Sequence, residues 1–247
     1  MLVFIGHGGN NSHGIGAERL KAFQNNALGR RLAGIAMALA VDVGTLGAST
    51  GAHAGSISVH VSAGNKPADD AAVVVAMAKD AAPATVNPGT KAVMVQEQKQ
   101  FVPFVLPVQL GTIVEFPNHD LFRHHVYSFS PAKTFELKLY GGGESQAVTF
   151  DKEGVIALGC NIHDTMLAYI YVVGTPYFAT TKGGAQVLAN LPAGTYTVKA
   201  WHPDQRVGTQ TSQEVTVTAD GTVNVDLTLT LKQARRRTPG AADENAY

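Results

Sequence analysis

The amino-acid sequence predicts an all-β protein, and three observations favour this fold class. Only 7% of the 247 residues are aromatic, 26 are glycine, and Val, Thr and Ala are abundant. Short segments alternate polar and apolar residues, which is the pattern of a half-buried strand. Turn-forming residues separate these segments at short intervals, as they do in β-sandwiches and barrels. Beyond residue 54, no segment combines the length and the apolar periodicity of an amphipathic helix.

Residues 1–54 are predicted to be a secretory signal peptide. Arg30 and Arg31 precede an apolar run over residues 32–41, and the small residues of Ala52-His53-Ala54 follow. A basic region, an apolar region and a small-residue cleavage site in this order describe such a peptide. We therefore expect a periplasmic protein without a membrane span, because the apolar run is too short to cross a bilayer. The true start of translation and the export route are left open.

The next elements are two predicted strands and a linker. Residues 56–61 alternate polar and apolar side chains, and residues 65–67 are typical of a turn. Residues 72–76 form a Val-rich run that predicts a more buried strand. The Pro- and Ala-containing residues 81–89 predict a loop or linker.

From residue 92 onward, predicted strands recur at short intervals. They comprise residues 101–108, 112–116, 125–129, 135–139, 147–150, 155–158, 166–173, 186–188, 196–201, 214–217 and 223–227. Gly141-Gly142-Gly143 is predicted to be a hairpin turn. It is not a phosphate-binding loop, because no Lys-Ser or Lys-Thr pair follows it.

The carboxyl-terminal part of the chain carries a characteristic turn and strand sequence. Residues 189–200 read Ala-Asn-Leu-Pro-Ala-Gly-Thr-Tyr-Thr-Val-Lys-Ala and precede a terminal alternating strand. On these residues, the stretch 180–231 resembles the second part of a carboxypeptidase-regulatory-like β-sandwich, and residues 56–76 fit the first part. The resemblance implies one sandwich that an inserted domain splits in sequence. The expected organisation is a first part at residues 55–92, an insertion at 93–174, a second part at 175–232 and a disordered tail at 233–247.

Cys160 is the only cysteine of the chain and lies in Gly-Cys-Asn-Ile-His-Asp-Thr-Met, residues 159–166. It cannot form an internal disulfide, and a lone cysteine is most often a small buried apolar residue. His163 and Met166 favour a ligand role instead, because a thiolate, an imidazole and a thioether form a soft set that suits copper. A second imidazole would complete the blue-copper set of two histidines, one cysteine and a weakly bound methionine.

An upstream segment can supply that imidazole. Residues 114–126 have the pattern Val-x-Phe-x-Asn-x-Asp-x-x-x-His-x-Val. Together with Cys-x-x-His-x-x-Met at residues 160–166, this pattern resembles the cupredoxins. The closest likeness is to amicyanin and plastocyanin, and to periplasmic proteins labelled methylamine utilisation or plastocyanin-like. The resemblance implies a cupredoxin Greek-key β-sandwich over residues 93–174, inserted into the second, smaller immunoglobulin-like β-sandwich.

The same resemblance implies a metal site for one copper ion, Cu(I) or Cu(II). Carried over position by position, its ligands are His124, Cys160, His163 and Met166. The sequence departs from the family at Arg123, where the family has Pro, and at His125, where it has Asn. His125 is therefore an alternative ligand, and strand alternation gives it some support. The spacing from Asn118 favours His124.

The predicted function is that of a periplasmic mononuclear blue-copper protein that carries single electrons. The resemblance implies a redox protein partner such as a c-type cytochrome or a periplasmic dehydrogenase, and we expect a monomer. Leu121, Phe122 and Ile162 are a candidate apolar docking patch beside His163. Two alternatives remain open: a periplasmic copper carrier or storage protein, and a structural β-sandwich binding module without a redox role.

Other function classes find little support in the sequence. Acidic and basic residues number 19 each, whereas a nucleic-acid binder needs a basic footprint. We do not expect an enzyme, because the His-x-His pairs of multicopper oxidases do not occur in the sequence. No His-Glu-x-x-His zinc motif occurs in it, and no Gly-x-Ser-x-Gly nucleophile elbow occurs beyond residue 54.

Overall fold

The structure, a computed structural model, describes residues 54–209 and 211–232. Within these residues every regular element is a β-strand and none is a helix, so the all-β prediction is confirmed. No described segment is thus a helix of the length and apolarity needed to cross a membrane. The predicted signal peptide, apart from its last residue, and the predicted tail at residues 233–247 lie outside the described residues.

The strands of the described residues fall into three runs along the chain. The first run is β1 (Gly55–Ala63), β2 (Lys66–Pro67) and β3 (Val73–Ala78). The second run is β4 (Lys91–Val93), β5 (Val95–Glu97), β6 (Gln100–Val102), β7 (Val105–Gln109), β8 (Ile113–Pro117), β9 (His124–Ser130), β10 (Lys133–Tyr140), β11 (Ser145–Thr149), β12 (Gly154–Gly159) and β13 (Leu167–Val173). The third run is β14 (Phe178–Thr180), β15 (Ala185–Leu191), β16 (Gly194–Trp201), β17 (Thr211–Val217) and β18 (Thr222–Leu229).

The first and third runs of strands form two sheets. One has the order β15-β1-β18, with β2 paired to β1, and the other has the order β14-β3-β16-β17. β1 lies antiparallel to β15 and parallel to β18. Alternating apolar side chains from both sheets share one core, which includes Ile57, Val59, Val74, Val198 and Leu227. These two sheets therefore form a β-sandwich.

The middle run of strands forms a second sandwich. Its larger sheet has the order β10-β9-β12-β13-β7, and its smaller sheet has the order β11-β8-β4. The two sheets enclose a core that includes Phe116, Phe150, Ile156, Leu158 and Ile170, each of them at most 1% exposed. β12 is antiparallel to both β9 and β13. The start of β9 therefore lies beside the end of β12.

A smaller apolar cluster joins the two sandwiches. Its buried members are Val73 and Val75 of β3, Val105 of β7 and Val173 of β13. Trp201 of β16 packs against Tyr171 of β13 with 5.2 Å between ring centroids. β3 contributes its alternate residues, including Val74, to the core of its own sandwich. Because both faces of β3 are covered, its sequence is a continuous apolar run rather than an alternating one.

Some predicted elements differ from the structure. The single strand predicted for residues 101–108 is divided into β6 and β7 around Pro103, which has no N–H to donate to a sheet. The hairpin turn predicted at Gly141–Gly143 is wrong, because β10 and β11 on either side of it belong to different sheets. The short strands β4, β5 and β14 were not expected, because three residues each are too few to show alternation.

Candidate metal centre

Two neighbouring strands bring the predicted ligands to one end of the larger sheet. His124 is the first residue of β9. Gly159 ends β12 and pairs both with Tyr127 of β9 and with Leu167 of β13. The loop of residues 160–166, which connects β12 to β13, therefore emerges beside the start of β9. The structure thus brings together two segments that are far apart in the sequence.

Cys160 continues the inward-facing row of β12. Ile156 and Leu158 of that row are 0% and 1% exposed, and Cys160 is 3% exposed. Residues two apart on a strand face the same side, so the thiol points into the apolar core as the strand ends. Cys160 is a free cysteine. An apolar surrounding of this kind limits the access of water to a bound metal.

Three potential ligand atoms converge on one point. The Sγ atom of Cys160 lies 3.9 Å from Nδ1 of His124 and 3.8 Å from Nδ1 of His163. One ligand atom from each of the three residues lies within 4.8 Å of the other two. The two imidazole rings are 5.0 Å apart between centroids. No other such cluster of His, Cys, Asp or Glu occurs among the described residues.

These distances fit a shared metal ion. Taking bonds of about 2.1 Å to nitrogen and about 2.3 Å to sulfur, an angle of about 120° separates the two ligand atoms by about 3.8 Å. A tetrahedral angle would separate them by about 3.6 Å. The observed sulfur–nitrogen distances of 3.8 and 3.9 Å lie close to these values, so one ion could contact the sulfur and both nitrogens. A trigonal set of one cysteine and two histidines is the arrangement of blue-copper sites.

Met166 lies at the end of the same loop. It is 2% exposed, and its backbone N–H donates a 2.9 Å hydrogen bond to the carbonyl of His163, which closes a tight turn. Met166 and Cys160 belong to the same apolar core and line the same surface groove. A thioether in the same core as Cys160 is a soft donor, which copper accepts and magnesium or calcium does not.

His125 occupies a different environment from His124. Its side chain is 9% exposed, and its Nε2 atom lies 2.8 Å from a carboxylate oxygen of Glu136 on β10. Its Nδ1 atom is buried without a hydrogen-bond partner. The ring of Tyr127 lies beside it, tilted by 51°, with 5.7 Å between ring centroids. The structure therefore places His124, and not His125, with Cys160 and His163.

Asn118 organises the loop that precedes His124. It is fully buried, and its side-chain amide donates hydrogen bonds to the carbonyls of Phe122, at 2.8 Å, and Tyr140, at 3.2 Å. Its side-chain oxygen accepts a 3.0 Å bond from the backbone N–H of Asp120, which is the Asx-turn arrangement. The N–H of Gly143 donates to the carbonyl of Asn118 at 2.8 Å. The triglycine segment therefore supports this loop directly.

Asp120 contacts the first predicted ligand. One of its carboxylate oxygens lies 2.7 Å from Nε2 of His124, and the carboxylate also accepts hydrogen bonds from the backbone N–H groups of Gln98 and Lys99. Burial on its own would raise the pKa of Asp120, but the hydrogen bonds from Lys99, His124 and Gln98 lower that pKa below its ordinary value of 3.8. Sequence reasoning did not find the Asp120–His124 pair, although an acid four residues before the ligand was a possible signal.

Gln96 is a buried polar residue that contacts the strand preceding this loop. The side-chain amide of Gln96, which is 0% exposed, donates hydrogen bonds to the Tyr140 hydroxyl and to the carbonyl of Phe116. The Tyr140 hydroxyl donates to the same carbonyl at 2.8 Å. Burial raises the pKa of Tyr140 to about 12; the Gln96 hydrogen bond acts in the opposite direction, and Cys160 adds to the rise. Tyr140 therefore stays a neutral hydrogen-bonding group.

His163 is the most solvent-accessible member of the cluster. Burial, followed by the nearby His124 and Lys99, lowers the pKa of His163 below its ordinary value of 6.5, while Asp120 acts to raise it. A lowered pKa keeps the imidazole neutral and able to bind a metal at neutral pH. The ring of Phe122 lies 5.5 Å from that of His163. Phe122 is 40% exposed, so an apolar surface adjoins the cluster.

Three of the solved structures similar to this chain are copper or cupredoxin proteins. A copper-containing nitrite reductase from Thermus scotoductus is 28% identical over 38% of this chain, with a TM-score of 0.34, and the match covers 25% of the reductase chain. A purple cupredoxin from Nitrosopumilus maritimus is 22% identical over 33% of this chain and 98% of its own, with a TM-score of 0.30. A reduced variant of amicyanin is 18% identical over 39% of this chain and 97% of its own, with a TM-score of 0.32.

No protein-family model matches the sequence, and no curated protein matches it either. The chain corresponds to only a quarter of the length of the nitrite reductase to which it is similar. The chemistry assigned to the site below therefore rests on the donor atoms and distances of this chain.

Proposed function

We propose that this protein is a mononuclear blue-copper protein that carries single electrons in the periplasm. The observation that carries the proposal is the convergence of three donor atoms, with Cys160 Sγ at 3.9 and 3.8 Å from the Nδ1 atoms of His124 and His163. A thiolate and two imidazoles at this spacing suit a trigonal copper site. The buried thioether of Met166 is proposed as the fourth, weaker ligand.

The residues of the chain would hold the metal with little rearrangement. Copper held in this way supplies a one-electron couple between Cu(I) and Cu(II). His124 begins a strand and Cys160 directly follows one, so neighbouring strands fix their positions. Because positions at strand ends are held more accurately than positions in the middle of loops, His124 and Cys160 can stay in place when the charge of the site changes. The surrounding apolar core limits the access of water to the sulfur.

The proposed electron route leaves through His163. This ring is the partly exposed member of the cluster, and Leu121, Phe122 and Ile162 near it are 101%, 40% and 49% exposed. Exposed apolar side chains in one place indicate a protein contact surface. The proposed partner is a redox protein such as a c-type cytochrome or a periplasmic dehydrogenase. We propose a monomeric carrier and assign it no substrate turnover of its own.

The proposal includes a domain organisation and an export route. The copper domain would comprise residues 93–174, and residues 55–92 and 175–232 would form the sandwich around it. The strand pairing of β1 with β18 supports this division, because it joins the first and last strands of the described chain in one sheet. Residues 1–54 would direct the protein to the periplasm and be removed there.

The test is a copper titration of the reduced, metal-free protein. We expect an intense visible charge-transfer band, and an EPR spectrum of a single Cu(II) site. His124→Ala and His125→Ala form a matched pair for assigning the upstream ligand. The band should vanish in the first variant and persist in the second. The reverse pattern would transfer the ligand role to His125, and a wild-type protein without the band would refute the copper proposal.

Electron transfer needs a separate measurement from copper binding. The copper-loaded protein should exchange electrons rapidly and reversibly with cytochrome c, and should retain its copper while it does so. Slow exchange together with ready release of copper to an acceptor protein would instead support a copper carrier. Rapid electron exchange and ready copper release thus distinguish an electron carrier from a copper carrier, both of which would bind the metal.

A further inference from the structure

One carboxylate connects the upstream ligand to a separate hairpin. Asp120 Oδ2 lies 2.7 Å from Nε2 of His124 and accepts a 3.0 Å hydrogen bond from the N–H of Lys99, while Oδ1 accepts a 2.7 Å bond from the N–H of Gln98. The side chains of Asp120 and His124 are 10% and 0% exposed. These hydrogen bonds are therefore largely shielded from competition with water.

The contact with Asp120 determines which nitrogen of His124 carries the proton. An ionised carboxylate can only accept hydrogen bonds, so the neutral ring must carry its proton on Nε2. The lone pair of His124 is then on Nδ1, which is the atom that lies 3.9 Å from the sulfur of Cys160. A carboxylate that orients a histidine also fixes the rotation of the ring and raises its basicity as a ligand.

The hairpin of β5 and β6 holds Asp120 from the other side. Its two turn residues, Gln98 and Lys99, have φ values of 53° and 57°, which is the left-handed region that non-glycine residues adopt at a cost. The carboxylate satisfies both backbone N–H groups of this turn. The carbonyl of Gln96 on the same hairpin accepts a 2.8 Å bond from the N–H of His119. The hairpin and the ligand loop therefore brace each other.

We propose that Asp120 is a positioning residue that prepares His124 for copper, with the β5–β6 turn as its support. This inference rests on the proposed copper function. Asp120 does not contact the metal position itself. It acts by selecting the Nε2–H form of the ring and by holding Nδ1 toward Cys160 before the metal binds. Loss of Asp120 should therefore weaken copper binding without removing any ligand atom.

The experiment compares Asp120→Ala with Glu136→Ala. Glu136 is a matched control, because its carboxylate lies 2.8 Å from Nε2 of the neighbouring His125, outside the donor cluster. Copper affinity is measured by competition with a chelator, and we expect a loss of about 10- to 100-fold in the Asp120 variant. The Glu136 variant should bind copper as the wild type does.

A second measurement uses the metal-free protein. Nitrogen-15 NMR of the imidazole rings should show one form of His124, protonated on Nε2, in the wild type and a mixture of both forms in Asp120→Ala. Amide hydrogen exchange of Gln98 and Lys99 should quicken in the same variant. If Asp120→Ala does not fold, Asp120→Asn keeps the shape of the side chain and should show smaller changes in the same direction.

The outcomes separate this inference from the copper proposal. A wild-type protein that binds copper, together with a folded Asp120→Ala variant of unchanged affinity and a single Nε2–H form, overturns the positioning role alone. A wild-type protein that binds no copper refutes the proposed function. An equal loss of affinity in the Glu136→Ala variant would also overturn the inference, because the effect would then not be specific to the ligand ring.

Discussion

The triglycine segment offers a test of how tightly the ligand loop is packed. A Cβ atom added at Gly142 would lie far inside van der Waals contact of the backbone carbonyl of Asp120, which cannot move without the loop. At Gly141, the nearest atom is Oε1 of Glu144, at 3.4 Å. At Gly143 no atom lies within 4 Å, but the backbone φ is +80°. Three adjacent glycines thus face three different constraints.

The expected costs of an alanine at each position follow from these constraints. Gly142→Ala should destabilise the protein by about 1–3 kcal/mol, the usual cost of forcing atoms into a packed region. For a protein of this size, that corresponds to a melting temperature lower by about 2–12 °C. Gly143→Ala should cost about 1–2 kcal/mol through backbone strain alone. Gly141→Ala should stay within about 0.5 kcal/mol of the wild type.

The assay combines stability and metal binding. Thermal unfolding of the metal-free proteins followed by circular dichroism gives the ranking in stability. Copper competition then distinguishes the two destabilised variants, because Gly142→Ala displaces Asp120 and should also weaken copper binding, whereas Gly143→Ala should not. A Gly142→Ala protein as stable as Gly141→Ala would refute the reasoning. It would show that the ligand loop can shift without any loss of stability.

Three further outcomes are expected. Tyr140→Phe removes a hydroxyl that accepts a hydrogen bond from the buried amide of Gln96. The free energy of unfolding, measured by chemical denaturation, should therefore fall by about 1–3 kcal/mol. A smaller loss would show that the amide finds another partner. Trp201→Ala should lower the free energy of unfolding by about 1–3 kcal/mol. This is less than for a fully buried tryptophan, because the ring packs against Tyr171 but is only partly buried. Unchanged stability would contradict the described contact. Because burial lowers the pKa of His163 below 6.5, its ring in the metal-free protein should take up its proton only below pH 6.5. An NMR pH titration of the metal-free protein checks this, and a midpoint above pH 6.5 would contradict the direction of the shift.

The strands could be predicted where their patterns are local. Residues 56–61 and 214–217 alternate, and the valines of β3 form a continuous run because both faces of that strand are buried. Pairing between distant strands leaves no comparable local signal. The division of residues 101–108 at Pro103 could not have been foreseen from a missing N–H alone, because Pro107 lies within β7. That β10 and β11 lie in different sheets depends on tertiary packing alone.

The donor cluster could be predicted from the sequence, whereas the hydrogen bonds that support it could not. The spacing of Cys160, His163 and Met166 within one loop is visible in the sequence, because three-residue steps in a tight turn can return side chains to one place. The hydrogen bonds of Asp120 to Gln98 and Lys99 connect the loop before β9 to the separate β5–β6 hairpin. Such contacts depend on where the β5–β6 hairpin packs, which no local pattern encodes.

Strand register explains why one of two adjacent histidines joins the cluster. β9 and β12 pair at Tyr127 and Gly159, and a shift of one residue would exchange the faces of His124 and His125. Gly159 permits this register, because a Cβ there would lie 2.7 Å from the Tyr127 ring. A larger residue at position 159 would therefore displace the Tyr127 ring, which neighbours the ring of His125. The identity of the upstream donor is thus a property of strand pairing as much as of the histidine itself.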